Sequence, residues 1–450
     1  MATHADSFHI LCVNPWIHDF AAYDVWSHPL GLLQLAGMLQ EMNFQVSYID
    51  CLNRFHPNLA PADPSARHGR GPYHKMPLPT PEGITDVPRT FSRYGIEPEW
   101  FYEDLRALPK APDLIFVTSL MSYWYPGVIE TISTLKTVYP DVPVILGGIY
   151  ATLWPEHAQQ TSGADEVICH YGESQLTALF QKYLHINITP PFTPSDINSW
   201  PRPAFNLQPH LNHVALLTSR GCPFSCDYCA SNFIAPKFEI KQISLVIDDL
   251  RYWYEHHHIT QFSFYDDAFL IRAEEHATPF LRAIINLDYP LTFHTPNALH
   301  IQKITPDLAN LLYQAGFKTV RLGVETTDFT NRQWDRKVTP AHIIEAAQNL
   351  RNAGFTQKEL GAYLLAGLPE QPWQDVYDSI QEIGDLGLMP IPTYYTPMPR
   401  TNLWELAQQT SRYDLIKDPI FTNNSILPCQ KTPFSWAPIT RAKQLVDQFR

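Results

Sequence analysis

The 450-residue chain has no run of about 18 uninterrupted apolar residues, and no basic N-terminal stretch leads into an apolar segment with a small-residue cleavage site. Neither a membrane span nor a secretory leader is expected, and the expected compartment is the cytoplasm. Positive charge is also short. Lys and Arg number 32 against 45 Asp and Glu, a net −13, which argues against a broad nucleic-acid surface, since phosphates are neutralised by Lys and Arg. A local basic groove stays compatible with this. Cysteine is sparse, at seven residues, an odd number without a paired framework, which fits a reducing environment rather than a disulfide scaffold. Proline is not sparse: 40 residues, near twice the usual ~5%, cluster between 57 and 112 and again between 189 and 208, where they mark irregular segments.

Three of the cysteines stand together. Cys222, Cys226 and Cys229 lie in the run Thr218-Ser-Arg-Gly-Cys-Pro-Phe-Ser-Cys-Asp-Tyr-Cys-Ala230. A [4Fe–4S] cluster takes four ligands, usually all thiolates, so a compact C-x3-C-x2-C loop with no evident fourth partner leaves one iron open to bind a substrate. A structural zinc site and a simple electron-transfer cluster are the competing readings. Zinc normally needs four Cys or His ligands, often as two spaced pairs, whereas Cys12, Cys51, Cys169 and Cys429 stand far away in sequence and His213 lies upstream across an expected strand.

At this length two domains are expected. The first, residues 1–185, alternates buried-strand runs with helical spacing: strands at Phe8–Val13, Gln45–Ile49, Asp113–Thr118, Val142–Leu146 and Glu166–Cys169, and helices at Leu30–Met42 and Val128–Val138. That order implies a doubly wound, Rossmann-like parallel sheet with ligands at the carboxyl ends of its strands. Thr118 and Ser119 after the third strand, and Gly147 and Gly148 after the fourth, are the candidate ligand-side residues; the same paired glycines would also serve a tight turn. The Pro-rich insertion at about 54–112 is rich in aromatics, which argues against disorder, and is expected to fold over the sheet's ligand side. Residues 186–212 read as a linker. From 213 to 400 six strands alternate with helices, implying a partial (β/α)6 barrel with its site at the carboxyl ends of the strands. Residues 401–450 form a tail in which Cys429 is the one group of chemical interest.

The cysteine loop, with the apolar strand His213-Val-Ala-Leu-Leu-Thr218 running into it, resembles the radical S-adenosylmethionine (SAM) superfamily. The resemblance implies that SAM chelates the open iron through its amino and carboxylate groups, and that an electron from the cluster splits it to methionine and a 5′-deoxyadenosyl radical. An external donor such as flavodoxin or ferredoxin would supply that electron. Pro29-Leu-Gly-Leu-Leu-Gln-Leu-Ala36, Leu146-Gly-Gly-Ile-Tyr-Ala151 and Tyr171-Gly-Glu173 are similar to landmarks of the subgroup with an N-terminal cobalamin-binding-type domain. The sequence departs from the base-off Asp-x-His-x-x-Gly pattern at Asp24-Val-Trp-Ser-His28-Pro-Leu-Gly31, where Trp26 stands in place of the acid. A His at a helix start beside Pro29 is the simpler reading of His28, and cobalamin is then expected to bind without a protein ligand, or not at all.

Within the barrel the resemblance implies a SAM site at the strand ends. Tyr228 matches the aromatic near the adenine, Glu325 the acid that contacts SAM, and Gly367 the Gly-Leu-Pro turn beside the adenine. Asp266 and Asp267, in Phe264-Tyr-Asp-Asp-Ala-Phe269, could hold the SAM amino group or cap a helix, one of them being functional. Arg321 could pair a carboxylate bidentately, and strand alternation puts it on one face with Glu325. The implied reaction is methylation of an unactivated carbon, methyl passing from methylcobalamin after hydrogen abstraction. Its alternatives are cyclisation, rearrangement or oxidation without methyl transfer, or a non-catalytic iron–sulfur scaffold or sensor. The substrate, a small molecule or a peptide, is not specified by the residues.

Overall fold

In the computed structural model the described residues are 4–330, 332, 334–335, 338–431 and 434–450. They divide into two units, one running to Asn212 and including Asp418–Thr422, the other comprising His213–Lys417 and Asn423–Arg450.

The first unit is built on five parallel strands: β1 (His9–Asn14), β2 (Gln45–Asp50), β3 (Leu114–Val117), β4 (Val144–Leu146) and β5 (Glu166–Val167), in the order β5-β4-β3-β1-β2. β1 is buried at all of its positions, as a strand covered on both faces must be. Its residues alternate between two cores. Ile10 and Cys12 pack with α1 (Leu30–Glu41) through Leu32, Ala36 and Leu39, while Leu11 and Val13 pack with α2 (Pro98–Arg106) and α3 (Tyr125–Val138) through Phe101, Val128 and Ile132. The chain reverses its winding between β1 and β3, the place where open α/β sheets bind ligands.

The Pro-rich insertion is ordered. Lys75–Pro77 and Ser92–Tyr94 join Ile17–Asp19, just beyond the carboxyl end of β1, in an antiparallel sheet. Trp16 anchors this layer, edge-on to Phe101 at 5.1 Å and donating from its indole nitrogen to Ile96 O at 2.7 Å. The insertion therefore sits on the ligand side of the sheet.

The segment expected as a linker is packed structure of the first unit. Phe192 and Ala204 are buried in its core, Ala204 N donates to Leu33 O, and Gln34 donates to Pro201 O. Proline density marks irregular backbone, and irregular backbone can still be buried. The tail likewise divides: Asp418–Thr422 returns to the first unit, where Tyr125 donates to Asp418, and the rest folds into the second.

The second unit has six parallel strands in strict chain order: β6 (Val214–Leu216), β7 (Gln261–Phe264), β8 (Thr292–His294), β9 (Phe317–Glu325), β10 (Leu360–Ala366) and β11 (Met389–Tyr394). Between them run α4 (Ile243–His257), α5 (Ala277–Ile285), α6 (Pro306–Gln314), α7 (Pro340–Asn352) and α8 (Trp373–Asp385), and α9 (Ala437–Asp447) follows. Phe264 and Phe293 each stack on Phe317 and lie tilted to one another, and Phe264 meets Phe280 of α5, which identifies the helix-facing side. The other face is polar in its middle layer, where His294 bridges Gln261 Oε1 at 2.8 Å and Thr319 Oγ1 at 3.0 Å.

Gly37 tests the docking of residues 201–204 on α1. A Cβ there would lie 2.1 Å from Arg202 O, an overlap costing about 1–3 kcal/mol, against ~1 kcal/mol of helix propensity gained. Gly37→Ala is expected to lower stability in urea denaturation; an increase would mean that the docked segment yields freely.

Candidate cluster and cofactor sites

Just past β6 the chain enters the cysteine loop under tight local constraint. Ser219–Arg220 pairs with Glu239–Ile240, and Gly221 takes φ +78°, with its missing Cβ 2.5 Å from Lys237 O. Only glycine fits there. Cys229 N then donates to Cys226 O at 3.0 Å, closing the turn that carries the second and third cysteines. All three are half-buried. Burial pushes the Cys222 thiol up to about 11; the Phe224 backbone N–H opposes this, and Asp267, Cys229 and Cys226 add to it, so the three sulfurs share one electrostatic neighbourhood. Three thiols in one loop form a donor set for a four-iron cluster, in which each thiolate binds a different iron.

Two acids follow β7 and have different surroundings. Asp266 is buried; its Oδ1 accepts from Thr218 Oγ1 at 2.6 Å and from Ser219 Oγ at 2.7 Å, and both its oxygens lie 3.1 Å from Thr218 N. Burial raises its pKa to about 6 while those hydrogen bonds pull it down. Asp267 is solvent-accessible yet surrounded by protein, which raises its pKa against a bond from Ser231. It also acts on Cys222. Of the pair, only Asp267 is open to a ligand.

Tyr228 donates to Asp335 Oδ2 at 3.1 Å. Burial raises its pKa, with the charges of Glu325 and Asp335 adding to the effect. Arg332 donates to Asp335 Oδ1 at 2.7 and 3.0 Å and to the carbonyls of Val324 and Thr326 at 2.8 and 2.9 Å, so a buried ion pair ties the backbone around Glu325 to the cysteine loop. Glu325 itself takes φ +68°.

Simple alternation does not hold at this point. The β9–β10 register slips between Gly323 and Glu325, a bulge that re-aims the side chain. The Glu325 carboxylate still folds back over Gly323, 3.2 Å from where a Cβ would be. Arg321 goes elsewhere: its guanidinium donates to Val320 O and Glu359 O, toward the amino end of β10. The structure thus groups Tyr228 with Glu325 and directs Arg321 away from the strand ends. Gly367, φ +83°, follows β10, with Leu427 Cδ2 3.2 Å from its Cβ position. Thr218, Ser219, Arg332 and Asp335 are participants the sequence reading missed. Two hydroxyl residues closing an apolar strand were a usable signal; an Arg and an Asp in an irregular loop were not.

In the first unit, Ser119 is committed to holding the turn after β4. Its Oγ donates to Gly147 O at 2.6 Å, and its carbonyl accepts from Ile149 N at 2.8 Å. Gly148 has φ +98° and would place a Cβ 2.2 Å from Ser119 O, whereas a Cβ on Gly147 would meet nothing closer than Ile168 O at 3.9 Å. Thr118 and Gly147 are partly exposed, so backbone at the strand ends is accessible to a bulky ligand, as a corrinoid requires. His28 receives a bond from Gln208 Nε2 at 3.0 Å through Nδ1 and lies against Phe205 at 5.3 Å.

The Radical SAM superfamily model matches residues 216–383. The second unit therefore contains a radical SAM domain. The B12 binding domain model matches residues 95–180, within the first unit, so the same chain carries a B12-binding domain beside the radical SAM domain. It is 23% identical to an uncharacterized methyltransferase of Pyrococcus horikoshii over 70% of this chain and 73% of that one. It is 22% identical to the anaerobic magnesium-protoporphyrin IX monomethyl ester cyclase of Rubrivivax gelatinosus over 68% and 60%. Among solved structures, the radical S-adenosylmethionine methyltransferase TsrM from Kitasatospora setae, with tryptophan substrate and a SAM analogue bound, superposes with a TM-score of 0.63 at 17% identity, covering 89% of this chain and 76% of that one. No helix among the described residues is long and apolar enough to cross a membrane.

The two glycines should separate in a denaturation experiment. Gly148→Ala is expected to lose about 1–3 kcal/mol through strain and overlap, and Gly147→Ala to stay within about 0.5 kcal/mol of the parent. Equal losses would show that both serve the turn alone.

Proposed function

We propose that this radical SAM enzyme methylates an unactivated carbon in a cobalamin-dependent reaction. The observation that carries the reading is a three-cysteine loop at the carboxyl end of β6 on the same chain as a B12-binding domain. When bound, the cluster supplies one electron to SAM, and the corrinoid supplies a transferable methyl group. The chain's own contribution is placement and the exclusion of water.

In this reading Cys222, Cys226 and Cys229 hold three irons. Tyr228, Asp267, Glu325 and the Gly367 turn surround SAM: the exposed Asp267 carboxylate is an acceptor for an ammonium group, and Glu325 is held by backbone that Arg332 fixes. Thr118 and Gly147 contact the corrinoid, while Ser119 and Gly148 shape the turn. An external donor such as flavodoxin or ferredoxin reduces the cluster. The similarity to a cyclase favours as second reading a radical SAM cyclisation or rearrangement without methyl transfer.

The test is the nucleoside product profile after anaerobic reconstitution with iron, sulfide and hydroxocobalamin, followed by SAM and a strong reductant. Methylation predicts 5′-deoxyadenosine with a comparable amount of S-adenosylhomocysteine, both lost in Cys226→Ala. Deoxyadenosine alone would move the assignment to the second reading, and neither product would leave an iron–sulfur scaffold. Glu325→Gln should weaken SAM binding roughly tenfold, since one charge-assisted bond is lost; unchanged affinity would remove Glu325 from the SAM site.

A further inference from the structure

We propose that Asp266, Thr218 and His276 are positioning residues that lock the start of the cysteine loop, and that Asp266 serves this lock rather than SAM. The inference rests on the radical SAM reading and concerns how the chain retains its cluster. The β6–β7 ladder ends where Leu216 pairs with Phe264, with Tyr265 N donating to Leu216 O. Past that point two parallel chains have no further ladder bonds to keep them together. The Asp266 carboxylate replaces them, taking the Thr218 N–H and the hydroxyls of Thr218 and Ser219.

The direction of each bond follows from the donor count. An ionised carboxylate only accepts, so the single Thr218 hydroxyl proton is directed to Asp266. His276 Nε2, 2.7 Å from the same Thr218 oxygen, must then be the donor. That fixes the imidazole as the Nε2–H tautomer, and the buried Nδ1 has no hydrogen-bond partner. Asp266, Thr218 and His276 are all at most 3% exposed. The relay His276 to Thr218 to Asp266 is therefore sealed from ligand, and a SAM ammonium cannot reach its carboxylate.

Its effect is on geometry further along the chain. Thr218 O accepts from Lys241 N at 2.8 Å, Ser219–Arg220 pairs with Glu239–Ile240, and Gly221 is wedged against Lys237 O. Cys222 follows directly, so the clamp at Thr218 sets where its sulfur lies. A cluster with three protein thiolates has no fourth to compensate for a displaced one.

The experiment compares Thr218→Val, Thr218→Ser and Asp266→Asn in the full chain, reconstituted with iron and sulfide. It measures iron and sulfide per chain and the rate at which the visible sulfur-to-iron absorbance is lost to a chelator. Thr218→Val and Asp266→Asn should lose the cluster roughly tenfold faster than the parent, the effect of one charge-assisted bond, and Thr218→Ser should match the parent. Thr218→Val is nearly isosteric, so it keeps the test valid if Asp266→Asn does not fold. Thr218→Val losing its cluster at the parental rate would overturn the proposal alone. A parent chain that takes up no cluster would overturn the proposal together with the radical SAM reading.

Discussion

Parallel strands oblige the chain to cross back to the same end of the sheet before each new strand begins, so the loops that leave the carboxyl ends collect at one edge. Both units are governed by this constraint. In the first, Thr118, Ser119, Gly147 and Gly148 follow β3 and β4. In the second, the cysteine loop, the Asp266–Asp267 pair, Glu325 and Gly367 follow or close β6, β7, β9 and β10. Residues that follow different strands are far apart in sequence, and the buried, largely apolar strands are what bring each group to one edge.

Local strain at that edge is held by dedicated contacts. Glu325 and Gly148 occupy left-handed or otherwise glycine-favouring backbone, of the kind that costs a non-glycine residue about 1–3 kcal/mol. At Glu325 the compensation is visible: Arg332 bonds the carbonyls on either side of it, and Asp335 ties Arg332 to Tyr228. A buried ion pair of this sort adds little net stability, yet removing one partner is expensive. Its effect is to allow one arrangement of the strand end relative to the cysteine loop.

Much of this was legible beforehand. Strands buried on both faces write themselves as apolar runs, and a C-x3-C-x2-C spacing has few physical explanations. What the sequence hid depends on contacts between distant segments. Asp266 and Asp267 are chemically identical neighbours, and only the donors at Thr218 and Ser219 separate the buried anchor from the open carboxylate. The parity argument for Arg321 assumed an unbroken strand; the bulge after Gly323 broke it, and the long Arg321 side chain found carbonyls toward the other end of the sheet. Residues 186–212 looked like a linker because proline density reports backbone regularity, whereas Phe192 and Ala204 show that membership of a core is decided by packing.

The account depends on one iron being left without a protein ligand, available to SAM. The direct measurement is electron–nuclear double resonance on the reduced cluster, with SAM carrying 15N in its amino group and 17O in its carboxylate. Hyperfine coupling from both labels to the cluster is the predicted result. A cluster whose spectrum is unchanged by SAM, with neither label coupled, would contradict it.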